Sequence, residues 1–399
     1  MPWSEMSSMD QKRFFIKDYT SGSFNMTELA ERYRISRKTA YKWVGRFHEQ
    51  GDAGLEDRSR RPNRSPTQTD ESIVMAVLQL RKRHPHWGAK KLLHVLHLRH
   101  PDVDWPARST VCDLLKRHSM IKPRRRRSFP GHPGRPTTPM NEPNDVWCAD
   151  YKGQFKTRDG IYCYPLTVSD GHSRYLLGCK GLLTTAHDVA KPVFRRLFAE
   201  HGLPAIIRTD NGVPFATNAL SRLSMLSVWW IRLGIYPELI EPGHPEQNGR
   251  HERMHRTLKA ETARPPAASM RSQQRRFNTF RAEYNELRPH EALGMATPAS
   301  IYAPSPRPYP SRLPEVSYPD HFELRYVSAN GGIRFNYRWV NVSHVLKGEY
   351  VGLEEVGDGI WDTYFGPVRL GWFDERNYRL VDAMGKSGRN SRVSPMSSD

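Results

Sequence analysis

The sequence predicts a multidomain chain with an all-α N-terminal region of two small helical units, a mixed α/β core and a small C-terminal β-barrel. Three observations predict this. The chain has 399 residues, too many for one ordinary core. Its apolar pattern changes from helical spacing to strand-like runs near Val146, and to short aromatic and β-branched runs after residue 318. Two basic, proline-containing stretches, GLEDRSRRPNRSPTQ and residues 123–145, separate the parts.

A formal charge of +19 points to a polyanionic partner. Double-stranded DNA fits best. A membrane partner is not expected, because no apolar run approaches the ~18 residues needed to span and no lysine-rich helix has a bulky apolar face. The start, MPWSEMSSMDQKRFF, lacks the apolar core of a secretory signal, so the chain is expected in the reducing cytoplasm. Cys112, Cys148, Cys163 and Cys179 form no Cys-x-x-Cys pair and read as buried free thiols.

Residues 9–60 read as a helix-turn-helix domain of three short helices. In the second helix Leu29 and Ala30 face inward. Ser36 caps the third, where Tyr41, Val44 and Phe47 recur at helical spacing. Arg37, Lys38, Thr39 and Lys42 then point outward from the first turns of a recognition helix. Residues 66–122 repeat the pattern, with helices over 70–83, 87–98 and 107–118 and with Arg108 and Ser109 opening the last. His84, His86, His94, His97 and His100 cluster here, but no cysteine pair completes a zinc set, so a wet, DNA-facing surface is expected. In the basic, proline-rich linker 123–145, Arg124, Arg125, Arg126 and Arg127 are expected to follow a phosphate backbone.

From Val146 the runs VWCADYKGQF, IYCYPLTVSD and RYLLGCKG read as three strands separated by turns. Helix 186–202, strand AIIRTD, helix 219–233, strand GIYPELI, the loop EPGHPEQNG and a helix from about Arg250 follow. That order is ribonuclease-H-like. It makes the strands carrying Asp150 and Asp210 neighbours, with Glu252 near the start of the later helix. Convergent carboxylates repel unless cations lie between them. Hard oxygen donors suit Mg²⁺ or Mn²⁺, and two ions about 3.5–4 Å apart would clamp the oxygens of a phosphodiester.

WCADYKGQF, RTDNGVPFA, EPGHPEQNGRHERMHRTLK and YNELRPHEALGMATPASIY, in that order, resemble the signature blocks of the integrase-core (DDE, retroviral-integrase-like) transposases of bacterial insertion sequences. The resemblance covers residues 146–305. It implies DNA 3′-end cleavage and strand transfer, a triad of Asp150, Asp210 and Glu252 holding two metal ions, element-end and target DNA as partners, and a homo-multimer on DNA in the bacterial nucleoid.

Between Asp210 and Glu246 lie 35 residues (211–245), a spacing often associated with the family, whereas 41 residues (211–251) lie between Asp210 and Glu252. Extra residues around SRLSMLSVWWIRLG would account for the longer spacing. The family's glutamate follows Asn-Gly by three residues in a helix ending Leu-Lys, which selects Glu252. Glu252, Arg256 and Lys259 also share a helix face, while Glu246 sits in a loop that would hold a ligand poorly. Glu246 remains the alternative.

Gln247 and Asn248 are expected in a DNA-contacting loop. Asn211 and Gly212 shape the turn after Asp210, and Asp170 shapes the turn into SRYLLGC. His244, His251 and His255 flank the site without an assigned role.

Beyond the core, 272–287 reads as an amphipathic helix with Phe277, Phe280 and Tyr284 inward. Residues 318–382 read as the small barrel, either contacting DNA through Arg334, Arg338 and Lys347 or serving oligomerisation. The tail from Lys386 reads as disordered. The alternative to an active transposase is a catalytically inert helix-turn-helix regulator derived from a transposable element.

Overall fold

The computed structural model describes residues 7–57, 69–121, 138–217, 219–241 and 245–382, with Pro245 and Glu246 described as backbone only. Arg124, Arg125, Arg126, Arg127, His244 and the tail from Lys386 lie outside the described residues. Residues 1–70 and 71–399 form two compact units.

In the first unit, α1 (Ser8–Thr20), α2 (Met26–Arg32) and α3 (Arg37–Gln50) enclose Phe15, Ile16, Leu29, Ala30, Ala40, Trp43, Val44 and Leu55. The helix starts follow from capping. Asn25 and Glu28 make a reciprocal capping box on α2, and the Ser36 hydroxyl accepts the Thr39 N–H at 3.2 Å on α3. Arg37, Lys38 and Lys42 are exposed and Thr39 is half-buried. Tyr41 was expected inward but is 61% exposed. The buried stripe of α3 runs through Ala40, Trp43, Val44 and Phe47, which leaves Tyr41 about 100° off it.

The second unit begins with α4 (Glu71–Arg83), α5 (Ala89–Arg99) and α6 (Arg108–Arg117), packed around Val77, Leu92, Leu96, Val111 and Leu115. Arg108 and Ser109 are exposed at the start of α6. Cys112 is exposed too, against expectation, while the other three cysteines are buried. His84 stacks on Trp87 with ring centroids 3.9 Å apart, so part of the histidine cluster packs rather than faces solvent.

The core holds β1 (Val146–Tyr151), β2 (Phe155–Lys156), β3 (Tyr162–Asp170), β4 (Leu176–Leu182), β5 (Ile206–Thr209) and β6 (Tyr236–Leu239). Strands β4, β3, β1, β5 and β6 lie side by side, antiparallel from β4 to β1 and parallel from β1 to β6. The expected single strand VWCADYKGQF is broken: β1 pairs with β3 as far as Tyr151↔Leu166, and β2 resumes at Phe155↔Cys163.

Side chains alternate across this sheet. On one face Trp147, Ala149, Leu166 and Val168 pack with α7 (His187–His201) and α8 (Met225–Arg232). On the opposite face lie α9 (Gly249–Thr262) and α10 (Met270–Ala282), where Met254, Leu258, Phe277, Phe280 and Tyr284 join Cys163, Leu176 and Cys179. Helix α10 leads into a π-helical turn over Glu283–Leu287, and the short α11 (Pro298–Ile301) follows.

Helix 219–233 was expected whole. Ser221 and Arg222 adopt left-handed φ values of 51° and 56°, and a fresh capping box of Ser224 and Ser227 starts α8 only at Met225. The displaced segment has another use, since the Ser221 hydroxyl donates to Leu370 O at 2.8 Å. Residues 138–145, expected within an extended linker, instead join the core. Arg208 donates to Thr138 O at 3.1 Å, and the Asn144 N–H donates to the buried Asp170 carboxylate at 2.7 Å.

At the C-terminal end, β7 (Glu323–Tyr326), β8 (Gly332–Phe335), β9 (Arg338–Asn341), β10 (Tyr350–Gly357), β11 (Ile360–Phe365), β12 (Val368–Asp374) and β13 (Arg379–Asp382) follow. They form a five-stranded antiparallel sheet, β13-β12-β11-β10-β7, and a β8–β9 hairpin with separate ladders. Both share one core with Val228 and Ile231 of α8.

Candidate active site

Register places the two aspartates. Ala149 of β1 pairs with Thr209 of β5 in parallel, so Asp150, the next residue of β1, and Asp210, just past the end of β5, emerge side by side. Alternation turns Asp150 away from the aromatic core and toward α9. The carboxyl of Asp150 is pushed up to about 8, first by burial, then by the charge of Asp210, with Glu252 adding to the effect; Lys152 and the Tyr151 N–H oppose it. Burial also raises Asp210, against a 3.2 Å hydrogen bond from the Gly212 N–H. Glu252 is exposed in the first turn of α9.

Beneath the carboxylates lies a polar cluster that the sequence did not assign. His251 and His255, one turn apart on the buried face of α9, are 1% and 3% exposed. His251 Nε2 lies 2.7 Å from Thr167 Oγ1 and its Nδ1 lies 2.8 Å from Ser169 Oγ. His255 Nε2 lies 2.5 Å from the same Thr167 oxygen, which itself donates to Asp150 O at 3.1 Å. Burial lowers both imidazoles, His251 to about 3 and His255 well below its usual value, so both are neutral.

The Thr167 hydroxyl has one proton for three neighbours, Asp150 O and the two Nε2 atoms, so its direction sets the tautomers of both imidazoles. His255 Nδ1 lies 3.5 Å from Asp150 Oδ2. Ligand atoms of Asp150, His251 and His255 all lie within 4.8 Å of one another. His251 has both nitrogens engaged, however, which leaves Asp150 and His255 Nδ1 as the available donors of that group. Oxygen donors on Asp150, Asp210 and Glu252, two of them held above their normal pKa by burial, make a donor set that fits a hard divalent cation. The signal in the sequence was Thr167 and Ser169, polar residues at alternate positions of an otherwise apolar strand, opposite histidines at i and i+4.

The surrounding residues divide. The side-chain amide of Asn211 donates to Ile240 O at 2.8 Å and its carbonyl accepts from Arg222 at 2.8 Å, so it braces two loops rather than its own turn. Gly212 has no left-handed backbone. A Cβ there would lie 3.2 Å from Asp210 Oδ2, so glycine keeps the carboxylate clear. Asp170 accepts from Ser173 N–H at 2.7 Å and Ser173 hydroxyl at 2.6 Å, which matches the turn role expected of it.

Gln247 accepts the Glu241 N–H at 2.9 Å, bracing the loop. Asn248 is 4% exposed at the start of α9, so it faces inward and is not placed to touch DNA. Arg256 is exposed and Lys259 half-buried. Glu246 falls in a 3₁₀ turn, Pro245–Asn248.

Family models for integrase core domains match residues 140–245 and 233–298. Models for a helix-turn-helix domain and a homeodomain-like domain match 11–63 and 39–115. An uncharacterised 39.2 kDa protein of insertion element IS476 from Xanthomonas euvesicatoria is 26% identical over 63% of this chain and 70% of its own length. A 31.7 kDa protein of insertion element IS407 from Burkholderia multivorans is 24% identical over 70% of this chain and 94% of its own. Among solved structures, a chain of a simian T-cell lymphotropic virus intasome is 18% identical with a TM-score of 0.36, covering 73% of this chain and 97% of that one. The chain thus carries helix-turn-helix domains ahead of an integrase core and is similar to proteins of bacterial insertion elements, as a DDE transposase of an insertion sequence would be.

Proposed function

We propose that the chain is a transposase that cleaves the 3′ ends of its element and joins them to target DNA, with Asp150, Asp210 and Glu252 holding two Mg²⁺ or Mn²⁺ ions. The observation that carries this reading is the pair of aspartates on adjoining parallel strands, raised in pKa and facing the helix that bears Glu252. When bound, the ions supply the Lewis acidity that makes water and a 3′-hydroxyl effective nucleophiles and offsets charge on the reacting phosphate.

The chain's own groups do the rest. Thr167 anchors the main chain of Asp150, and His255, held by Thr167, stands beside its carboxylate, as outer partners position the ligands of metal sites. Arg256 and Lys259, on the Glu252 face of α9, bind the flanking backbone. Arg37, Lys38, Thr39 and Lys42 on α3, with Arg108 and Ser109 on α6, read the element end. The C-terminal strands are read as a small barrel whose Arg334, Arg338 and Lys347 add nonspecific contacts, and synapsis of two ends calls for a multimer on DNA.

The test incubates purified protein with element-end DNA and Mg²⁺ or Mn²⁺. Wild type should nick and join, and Asp150→Asn should bind the same DNA without cutting it. Binding without cleavage by wild type under either metal would instead identify an inert regulator.

A further inference from the structure

Away from the carboxylates, α5 of the second helical unit meets the core at a small cleft of about 80 Å³. Lys91, Arg174, Arg250, Arg253 and Arg288 line it, with Glu291 the one carboxylate among the lining residues. Glu291 is exposed and already 3.4 Å from Lys90. Arg288 is likewise paired with Glu261 at 2.9 Å, which leaves Lys91, Arg174, Arg250 and Arg253 as the positive excess of the cleft.

Two polar atoms at the cleft lack partners among the described residues. Arg174 Nε and His290 Nε2 are both buried without a hydrogen bond. Such groups are costly unless something satisfies them. Burial first, then the charge of Arg288, brings the Lys91 ammonium down to about 8, and burial with Lys91 and Arg288 nearby brings His290 to about 3. An anion would relieve these strains together. The cavity has room for several waters or one tetrahedral oxyanion.

We propose that this cleft is a phosphate seat that holds one phosphodiester of the bound DNA between the second helical unit and the catalytic core. This rests on the reading of the core as acting on DNA. DNA is favoured over free phosphate by the position on α9: Arg250, Arg253 and Thr257 fall on a face about a third of a turn from Glu252, Arg256 and Lys259. One helix thus presents carboxylate and phosphate-binding faces to the same strand. The seat also links a DNA-reading unit to the chemistry, because the occupant would bridge Lys91 to the arginines of the core.

The experiment uses the full chain as wild type, Arg253→Gln, Arg174→Gln and Glu291→Gln. Arg253 and Glu291 are exposed, so those variants keep the fold even if Arg174→Gln does not. Thermal unfolding is followed in inorganic phosphate and in chloride at equal ionic strength, and duplex DNA affinity is measured against salt. Phosphate should stabilise wild type and Glu291→Gln but not the arginine variants. The log–log salt slope should become shallower by about 1 in each arginine variant.

Phosphate stabilisation with an unchanged slope would overturn DNA as the occupant and leave a site for free phosphate. Neither effect would overturn the seat altogether. Wild type that shows both effects yet cuts no DNA under either metal supports the seat and sinks the catalytic reading alone.

Discussion

Two aspartates of the core, Asp170 buried and Asp150 half-buried, differ in what their neighbours do for them. Asp170 receives three hydrogen bonds, from the N–H groups of Asn144 and Ser173 and from the Ser173 hydroxyl, whereas Asp150 receives chiefly the charge of Asp210. Asp170→Ala should therefore cost about 3 kcal/mol of stability by orphaning buried donors. Asp150→Asn should leave the metal-free melting temperature unchanged or higher, because it removes a carboxyl that burial and repulsion already disfavour. Thermal unfolding without divalent ions checks both, and early melting of Asp150→Asn would show that the carboxylate is structural.

Helix α9 presents three distinct faces. His251, Met254, His255 and Leu258 are buried against the sheet, Glu252, Arg256 and Lys259 face the carboxylates' side, and Arg250 and Arg253 line the cleft. Replacing His255 by Asn should weaken Mn²⁺ binding and activity by roughly 10–100-fold, the usual effect of losing a residue that orients a metal ligand. Phe280→Ala on α10 is the structural contrast. It should cost about 3–5 kcal/mol in a buried core position, yet leave Mn²⁺ affinity of the folded fraction unchanged.

What the sequence disclosed at this scale followed periodicity. The strands leading to Asp150 and Asp210 and the inward Phe277, Phe280 and Tyr284 were visible as apolar spacing, and the start of α9 as a helix following the loop EPGHPEQNG. The late start of α8 was not, because it depends on left-handed residues at 221 and 222 and on a hydrogen bond to the C-terminal sheet. The histidine network was equally hidden, since it joins residues 82 to 88 positions apart in sequence.

Across the whole molecule, the chain carries a net charge of +19, with cations exposed in more than one region. Arg37 and Lys42 stand exposed on α3, while the cations around α9 lie beside the candidate chemistry. Arg37→Ala with Lys42→Ala should weaken binding to element ends by about 1–3 kcal/mol for each base that the pair reads. Cleavage of nonspecific DNA at high protein concentration should persist. Competition binding with and without unrelated DNA separates the two, and equal weakening on both substrates would mean that α3 only adds charge. No helix among the described residues is long and apolar enough to cross a membrane.

The most direct test of the central claim compares strand-transfer rates of wild type, Asp150→Asn, Asp210→Asn, Glu252→Gln and Glu246→Gln on pre-cut element ends with Mn²⁺. The account predicts a drop of at least about 100-fold for the first three variants, as expected when a group that stabilises developing charge is removed, and near-normal rates for Glu246→Gln. Activity in Glu252→Gln with none in Glu246→Gln would contradict the third ligand, and equal rates in all five proteins would contradict the site itself.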